Sequence, residues 1–198
     1  MAKMYFDENP DAIHDIHKLN LELLDLPMIF FTDSGVFSKK QVDYGSKVLL
    51  ENLTFKKDDT LLDVGCGYGP LGLTLAKKFG VLPTMVDINQ RALGLAQKNS
   101  EANGIDANVY QSNVYDQVEG KFDHIISNPP IRAGKDIVHK IITESYDHLN
   151  DQGDLTLVIQ KKQGAPSAKK KMLEIFDNVE IVAKDKGYYI LRSVKNGL

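Results

Sequence analysis

Thr60-Leu61-Leu62-Asp63-Val64-Gly65-Cys66-Gly67-Tyr68-Gly69-Pro70-Leu71-Gly72 is the stretch whose reading decides the fold. An apolar run ends in Asp63-Val64 and meets a glycine cluster at once. Leu71, Leu73, Leu75 and Ala76 follow with Lys77 and Lys78 behind them, an apolar stripe at helical spacing. The pattern predicts a buried strand, a tight glycine turn and a helix, the arrangement of nucleotide-binding α/β folds. Gly65 and Gly67 can take dihedrals forbidden to other residues and leave bare backbone for a ligand to lie against. The spacing is Gly65-x-Gly67-x-Gly69, not the G-x-G-x-x-G of a pyrophosphate turn. Pro70 suits a first helical position but removes an N–H that a phosphate would use. The turn therefore reads as built for a ligand that does not depend on a phosphate there. A purely structural glycine turn and a dinucleotide site are the competing readings.

Working outward, the 198 residues suit one domain with a small appendage, long enough to bury a real core. A net charge of -3 leaves no global field to recruit nucleic acid, so such binding needs a local patch. One cysteine excludes an internal disulfide, and without a His/Cys cluster no metal site is expected. Cys66 reads as a small packing residue in the loop. No basic-then-apolar leader and no apolar run near the roughly 20 residues of a membrane span are seen, so a soluble cytoplasmic protein is expected.

Before the glycine turn, residues 14–24 and 27–31 are two apolar segments, predicting a two-stranded appendage within 1–36. His14 and His17 read as exposed strand residues. Val42, Val48, Leu49, Leu50 and Leu53 predict a helix entered near 39–43. After the turn, residues 81–88 form a second buried strand ending in Asp87-Ile88. An acid at that tip hydrogen-bonds ribose hydroxyls in nucleotide folds; Asp87 and Asn89 also both suit an N-cap for the helix over 89–103, which Gly104 ends. A third strand over 107–111 leads into Ser112-Asn113-Val114-Tyr115. A fourth, Phe122 to Ile126, delivers Ser127-Asn128-Pro129-Pro130-Ile131, and a fifth covers 155–159. Residues 179–183 and 188–191 predict an antiparallel closing hairpin.

Asp63-Val64-Gly65-Cys66-Gly67-Tyr68-Gly69 resembles the first motif of class I S-adenosylmethionine (SAM) methyltransferases, which bind a sulfonium nucleoside without a phosphate. The resemblance implies a Rossmann-like α/β fold. Its sheet is mostly parallel and seven-stranded, with helices on both faces and an antiparallel C-terminal hairpin. The methyltransferase domain covers 37–198 and a small N-terminal β appendage covers 1–36. SAM is the implied cofactor, held by Asp63, Gly65, Cys66, Gly67 and Gly69, by Asp87 and Ile88, and by Asn113 against the adenine amine with Val114 on the ring face. Pro129 and Pro130 have no N–H, so their carbonyls only accept, and the strand end keeps Asn128 extended. With the Asn128 amide oxygen they offer acceptors to a planar –NH2, favouring a pyramidal nitrogen whose lone pair meets the methyl group. No strong base is needed and no metal is expected, and Asn128, Pro129 and Pro130 are the expected catalytic set.

Together with Gly35-Val36-Phe37-Ser38 and Asp43-x-Gly45-Ser46, these motifs resemble the 16S rRNA guanine-N2 methyltransferases. In that family the lead-in segment closes over the methionine end of the cofactor, which adds Phe37 and gives Asn128 a second role there. Ribosomal RNA or the small subunit is the implied partner; oligomeric state is left open, with a monomer as the working expectation. Ile131 stands where many amine methyltransferases stack an aromatic on the base, so Phe37 or Tyr115 is expected to supply a ring. Arg132, Lys135, Lys161 and Lys162, with Ile131, are the candidate substrate contacts, and Lys169 to Lys171 read equally as a solvated helix face. Better-known members carry two tandem methyltransferase-like domains, whereas this chain carries one. Adenine N6, a glutamine amide, and a non-catalytic SAM- or RNA-binding module are the alternative readings.

Overall fold

The computed structural model describes residues 14–34, 36 and 40–196. Its centre is a seven-stranded sheet in the order β5-β4-β3-β6-β7-β9-β8. The strands are β3 (Thr60–Val64), β4 (Leu82–Asp87), β5 (Asn108–Gln111), β6 (Phe122–Ser127), β7 (Leu149–Gln160), β8 (Glu180–Asp185) and β9 (Tyr188–Val194). Every ladder is parallel except β7 with β9 and β8 with β9. The closing hairpin turns at Lys186-Gly187, both at positive φ (44° and 83°), as a two-residue hairpin loop requires. The expected Rossmann-like sheet with an antiparallel C-terminal hairpin is thus the one observed.

Alternation within each strand sends residues to two different cores. Leu61, Met85 and Ile126 face one layer with α1 (Tyr44–Glu51), α2 (Pro70–Phe79) and α3 (Gln90–Ala102). Leu62, Val86 and Ile125 face the other, with α4 (Lys135–Ser145) and α5 (Ala165–Phe176). β3 is buried from Leu61 to Val64, Asp63 included, because it is covered on both faces. Pro70 opens α2, and Gly80 closes it in the left-handed region. Asn89, not Asp87, caps α3: its side chain accepts from the Ala92 N–H at 3.1 Å.

The N-terminal strands β1 (His17–Leu23) and β2 (Leu26–Thr32) form a separate antiparallel hairpin. Leu23, Met28 and Phe30 lie in the same core as Leu49 and Leu73, and burying Met28 and Phe30 contributes roughly 1.5–3 kcal/mol each. Polar contacts fix its place. The Ile29 and Phe31 N–H groups donate to the side-chain oxygens of Asn103 and Asn99 (3.0 and 2.6 Å). The two amide nitrogens donate back to the carbonyls of the same residues. Asn99 also donates to the Tyr68 carbonyl at 2.8 Å, joining the hairpin to the glycine turn. His14 and His17 are engaged with Asp33 and Asp15.

At the amino end of the sheet, His124 on β6 lies between Asp154 (2.8 Å) and Asp59 (3.1 Å). Its ring is 4.3 Å from that of Phe55, and Arg192 reaches Asp154 at 2.5 Å. Asp123 accepts from the Thr60 N–H and hydroxyl and from Asn150. Among the described residues no helix is long and apolar enough to cross a membrane.

Candidate active site

β3 pairs with β4 on one side and β6 on the other, so a crevice opens at their carboxyl ends, where the strand order reverses. The turn after β3 is held from below. The Gly65 and Cys66 N–H groups both donate to the Val86 carbonyl at 2.9 Å. The Gly67 N–H donates to an Asp87 carboxylate oxygen at 2.8 Å, whose other oxygen accepts from the Asn89 N–H at 2.9 Å. Gly65 and Gly67 have φ of 73° and 57°, and a Cβ on either would meet nothing within 4 Å. That is the bare backbone face the sequence predicts. Burial pushes the Asp87 carboxyl up, against the pull of the Asn89 and Gly67 N–H groups.

The crevice is a cavity of about 170 Å³ that gathers most of the predicted residues. Gly65, Cys66, Gly67, Asp87, Ile88, Asn113 and Val114 line it, as do Asn128, Pro129 and Pro130 from the end of β6. Asp63 and Gly69 do not. Asp63 is fully buried behind the turn, accepting from the Gly72 N–H at 3.1 Å through one oxygen while the other has no partner among the described residues. Burial, eased by that N–H and reinforced by the Asp87 charge, raises its carboxyl to about 7. A Cβ on Gly69 would strike Leu73 at 2.9 Å, so this glycine serves helix entry rather than the cavity. Burial first, then the charges of Asp87 and Asp63, push the Cys66 thiol well up, as suits a packing residue. Phe37 lies outside the described residues.

Asn128 is held in one orientation. Its amide nitrogen donates to Asp43 at 2.8 Å and to the Ser46 hydroxyl at 3.0 Å. Asp43 is itself placed as the N-cap of α1, accepting from the Ser46 N–H at 3.2 Å. A carboxylate accepts only, so the amide cannot flip without setting oxygen against oxygen. The nitrogen is thereby committed to Asp43 and Ser46, and Oδ1 is left as an acceptor. The Pro130 carbonyl accepts the Ala133 N–H at 2.8 Å, closing the turn Ile131–Ala133. The Pro129 carbonyl accepts no such bond among the described residues, so Asn128 Oδ1 and Pro129 O are the acceptors left without a partner there.

The remaining candidates separate from the cavity. Arg132, Lys161 and Lys162 are exposed and do not line it. Ile131 and Lys135 line a second cavity instead. Tyr115 offers no ring to a substrate: it is 4 % exposed, donates to the Ile141 carbonyl at 2.9 Å and stacks on His148.

Sequence reasoning left three contributors unassigned. Asp43 and Ser46 carry a signal, an N-cap residue and its N3 partner before an apolar run, but their reach to Asn128 is tertiary. Tyr68 lines the cavity with a buried hydroxyl that has no partner among the described residues, and burial plus the Asp43 charge push its phenol up. Val114 sits at φ 59°, a genuine outlier for a β-branched residue. Ser112 braces that bend, donating to the Val114 carbonyl at 2.9 Å and accepting from the Gln117 N–H at 3.1 Å.

Known proteins are similar to this chain. Bacillus subtilis YbxB, described as an uncharacterized protein, is 45 % identical over 200 residues, 98 % of this chain and all of its own. Ribosomal RNA small subunit methyltransferase C of Haemophilus influenzae (strain PittEE) is 35 % identical over 182 residues, covering 89 % of this chain and 52 % of that protein. The solved structure of the T. thermophilus 16S rRNA N2 G1207 methyltransferase, in complex with AdoMet and guanosine, superposes with a TM-score of 0.85 at 26 % identity. It covers 94 % of this chain and 52 % of that one, so this chain spans about half the length of the relatives whose reaction is named. Residues 27–192 match the methyltransferase small domain. That match runs from the second strand of the N-terminal hairpin into the last strand of the sheet, and the chain belongs to the methyltransferase small domain family.

Proposed function

We propose that the chain transfers a methyl group from SAM to the exocyclic amine of guanine N2 in small-subunit ribosomal RNA. The observation that carries this reading is the locked Asn128 amide, with Oδ1 and the Pro129 carbonyl left as acceptors at the cavity that holds the glycine turn. The residues present fit SAM. Gly65 and Gly67 offer backbone without side chains, the Asp87 carboxylate suits ribose hydroxyls, and Ile88 and Val114 give apolar faces for an adenine edged by Asn113. The partnerless Tyr68 hydroxyl suits the polar amino-acid tail. SAM supplies an electrophilic methyl group.

The protein's own part is positioning and charge. A guanine amine is a poor nucleophile because its lone pair is delocalised into the ring. Two acceptors on its two N–H bonds turn the lone pair out of the ring plane and stabilise the positive charge that develops on nitrogen. Asp43 and Ser46 hold that geometry before the substrate arrives. Hairpin and sheet act as one unit in this reading, because Asn99 ties β2 to the carbonyl of Tyr68.

The test is incubation with methyl-labelled SAM and naked ribosomal RNA, small subunits, DNA or total protein, followed by mass spectrometry of the products. Label in N2-methylguanosine is expected; label in N6-methyladenine or methylglutamine instead would reject the acceptor. Asn128→Ala is expected to lower kcat by about 10²–10³-fold, and undiminished transfer would reject the mechanism.

A further inference from the structure

The segment after Pro130 is a partition between two cavities. Ala133, Ile137 and Ile141 face the cavity of Asn128, whereas Ile131, Gly134, Lys135, Val138 and His139 face a second one of about 240 Å³. Residues four apart on α4 share a face, and 138 is turned by about 100° from 137, so one helix serves both. The end of β7 and the start of α5 close the second cavity through Ile159, Gln163, Gly164, Ser167 and Ala168.

Its chemistry is divided. Ile131, Val138, Ile159 and Ala168 give apolar walls, and Lys135, His139, Gln163 and Ser167 give polar groups. His139 meets the Ser167 hydroxyl at 3.0 Å, which fixes α4 against α5. Lys135 is exposed and has no carboxylate in ion-pair contact among the described residues. Burial, then the charges of Lys135 and Lys171, hold the His139 imidazole down against the opposing pull of Asp136 and Glu174. Lys171 is itself paired with Glu174 at 2.8 Å, which leaves Lys135 as the cation lining the cavity.

We propose that this second cavity is a nucleotide subsite, taking the ribonucleotide next to the acceptor in the RNA chain, its base on the apolar walls and its phosphate on Lys135. This rests on the RNA reading above. An acceptor base at Asn128 sets its neighbour against residues 131–135, which are the wall between the cavities. An apolar lining alone would suit any small ligand and a lysine alone any anion. A nucleotide needs both, one beside the other.

The experiment titrates a fluorescent single-stranded RNA containing guanine, at several salt concentrations, into the wild-type protein, Lys135→Ala and Ser167→Phe. The second substitution fills the cavity from its edge. Lys135→Ala is expected to weaken binding about fivefold or more at low salt and to flatten the salt dependence by about 0.7 in log–log slope, the loss of one phosphate contact. Ser167→Phe is expected to weaken binding with less change in slope. In both, the affinity for SAM stays at the wild-type value. A 4-thiouridine placed next to the guanine is expected to crosslink within 135–139 or 163–168. Wild-type affinity and slope in both variants, or crosslinks only elsewhere, would overturn the subsite. RNA that binds and crosslinks here while label enters another acceptor would remove the guanine assignment and leave the subsite standing. Label in guanine with unaltered variants would do the reverse.

Discussion

The two ends of the central sheet treat buried polar groups in opposite ways. At the amino end Asp154 is answered by His124 and Arg192, and Asp123 by Thr60 and Asn150. Hydrogen bonds from Thr60 and Asn150 outweigh burial and hold the Asp123 carboxyl low. At the carboxyl end, Asp63 keeps an oxygen without a partner, Tyr68 a hydroxyl, and burial leaves Asp63 and Asp87 raised. Unanswered buried polarity costs stability. The Tyr68 hydroxyl is the one of these partnerless groups that lines the cavity, a polar group shaped for a ligand rather than for the fold.

Substituting a carboxylate should therefore have opposite signs at the two ends. The largest effect is expected for Asp63→Asn. A carboxyl raised from 3.8 to about 7 favours folding fully only below the unfolded value, and that contribution is lost as pH rises toward 7. At pH 8 the neutral amide is expected to stabilise the ligand-free protein by about 2–4 kcal/mol, read as a higher midpoint in urea. A lower midpoint would break the contrast. Asp154→Ala at the opposite end is expected to destabilise by about 2–3 kcal/mol, the loss of charge-assisted bonds to His124 and Arg192. The fully folded variant should keep its kcat.

A smaller effect sharpens the same point through pH. Burial pulls His124 down, but its bonds and charges with Asp154 and Asp59 prevail and raise it above 6.5. Its contribution is thus complete below the unfolded value and is lost as pH rises through the folded one. In His124→Gln the wild-type advantage in denaturation midpoint should shrink between pH 6 and pH 8; a constant difference would remove the histidine from the account. The smallest effect is expected for Lys140→Ala. Its pair with Asp116 is at the surface and contributes at most about 0.5 kcal/mol, within error of the wild-type midpoint.

How much of this was legible in the sequence depends on whether cause lay near or far along the chain. Strand, glycine turn and helix over 60–79 are local consequences of hydrophobic period and backbone freedom, and they formed where expected. Asp87 and Asn128 come to one cavity because each stands at a strand end, and strand ends converge. What stayed hidden was tertiary. Nothing local says that Asp43 crosses 85 residues to fix the Asn128 amide, or that the Pro130 carbonyl is taken by Ala133. Tyr115 was offered as a stacking ring because an aromatic near a strand end looks available. Its neighbours Ile141 and His148 arrive from later in the chain. The left-handed Val114 has no signature at all, since residue type argues against that conformation.

Asn99 of α3 and Asn103 at its C-cap have a consequence beyond holding β2 in place. A two-stranded ribbon ordinarily presents raw backbone along its flank, an invitation to strands from other molecules. Here Asn99 and Asn103 answer the N–H and carbonyl of Phe31 and Ile29 in pairs, imitating one more strand with side-chain amides. The ribbon is sealed along that flank against intermolecular sheet growth, and the helix performs the quarantine.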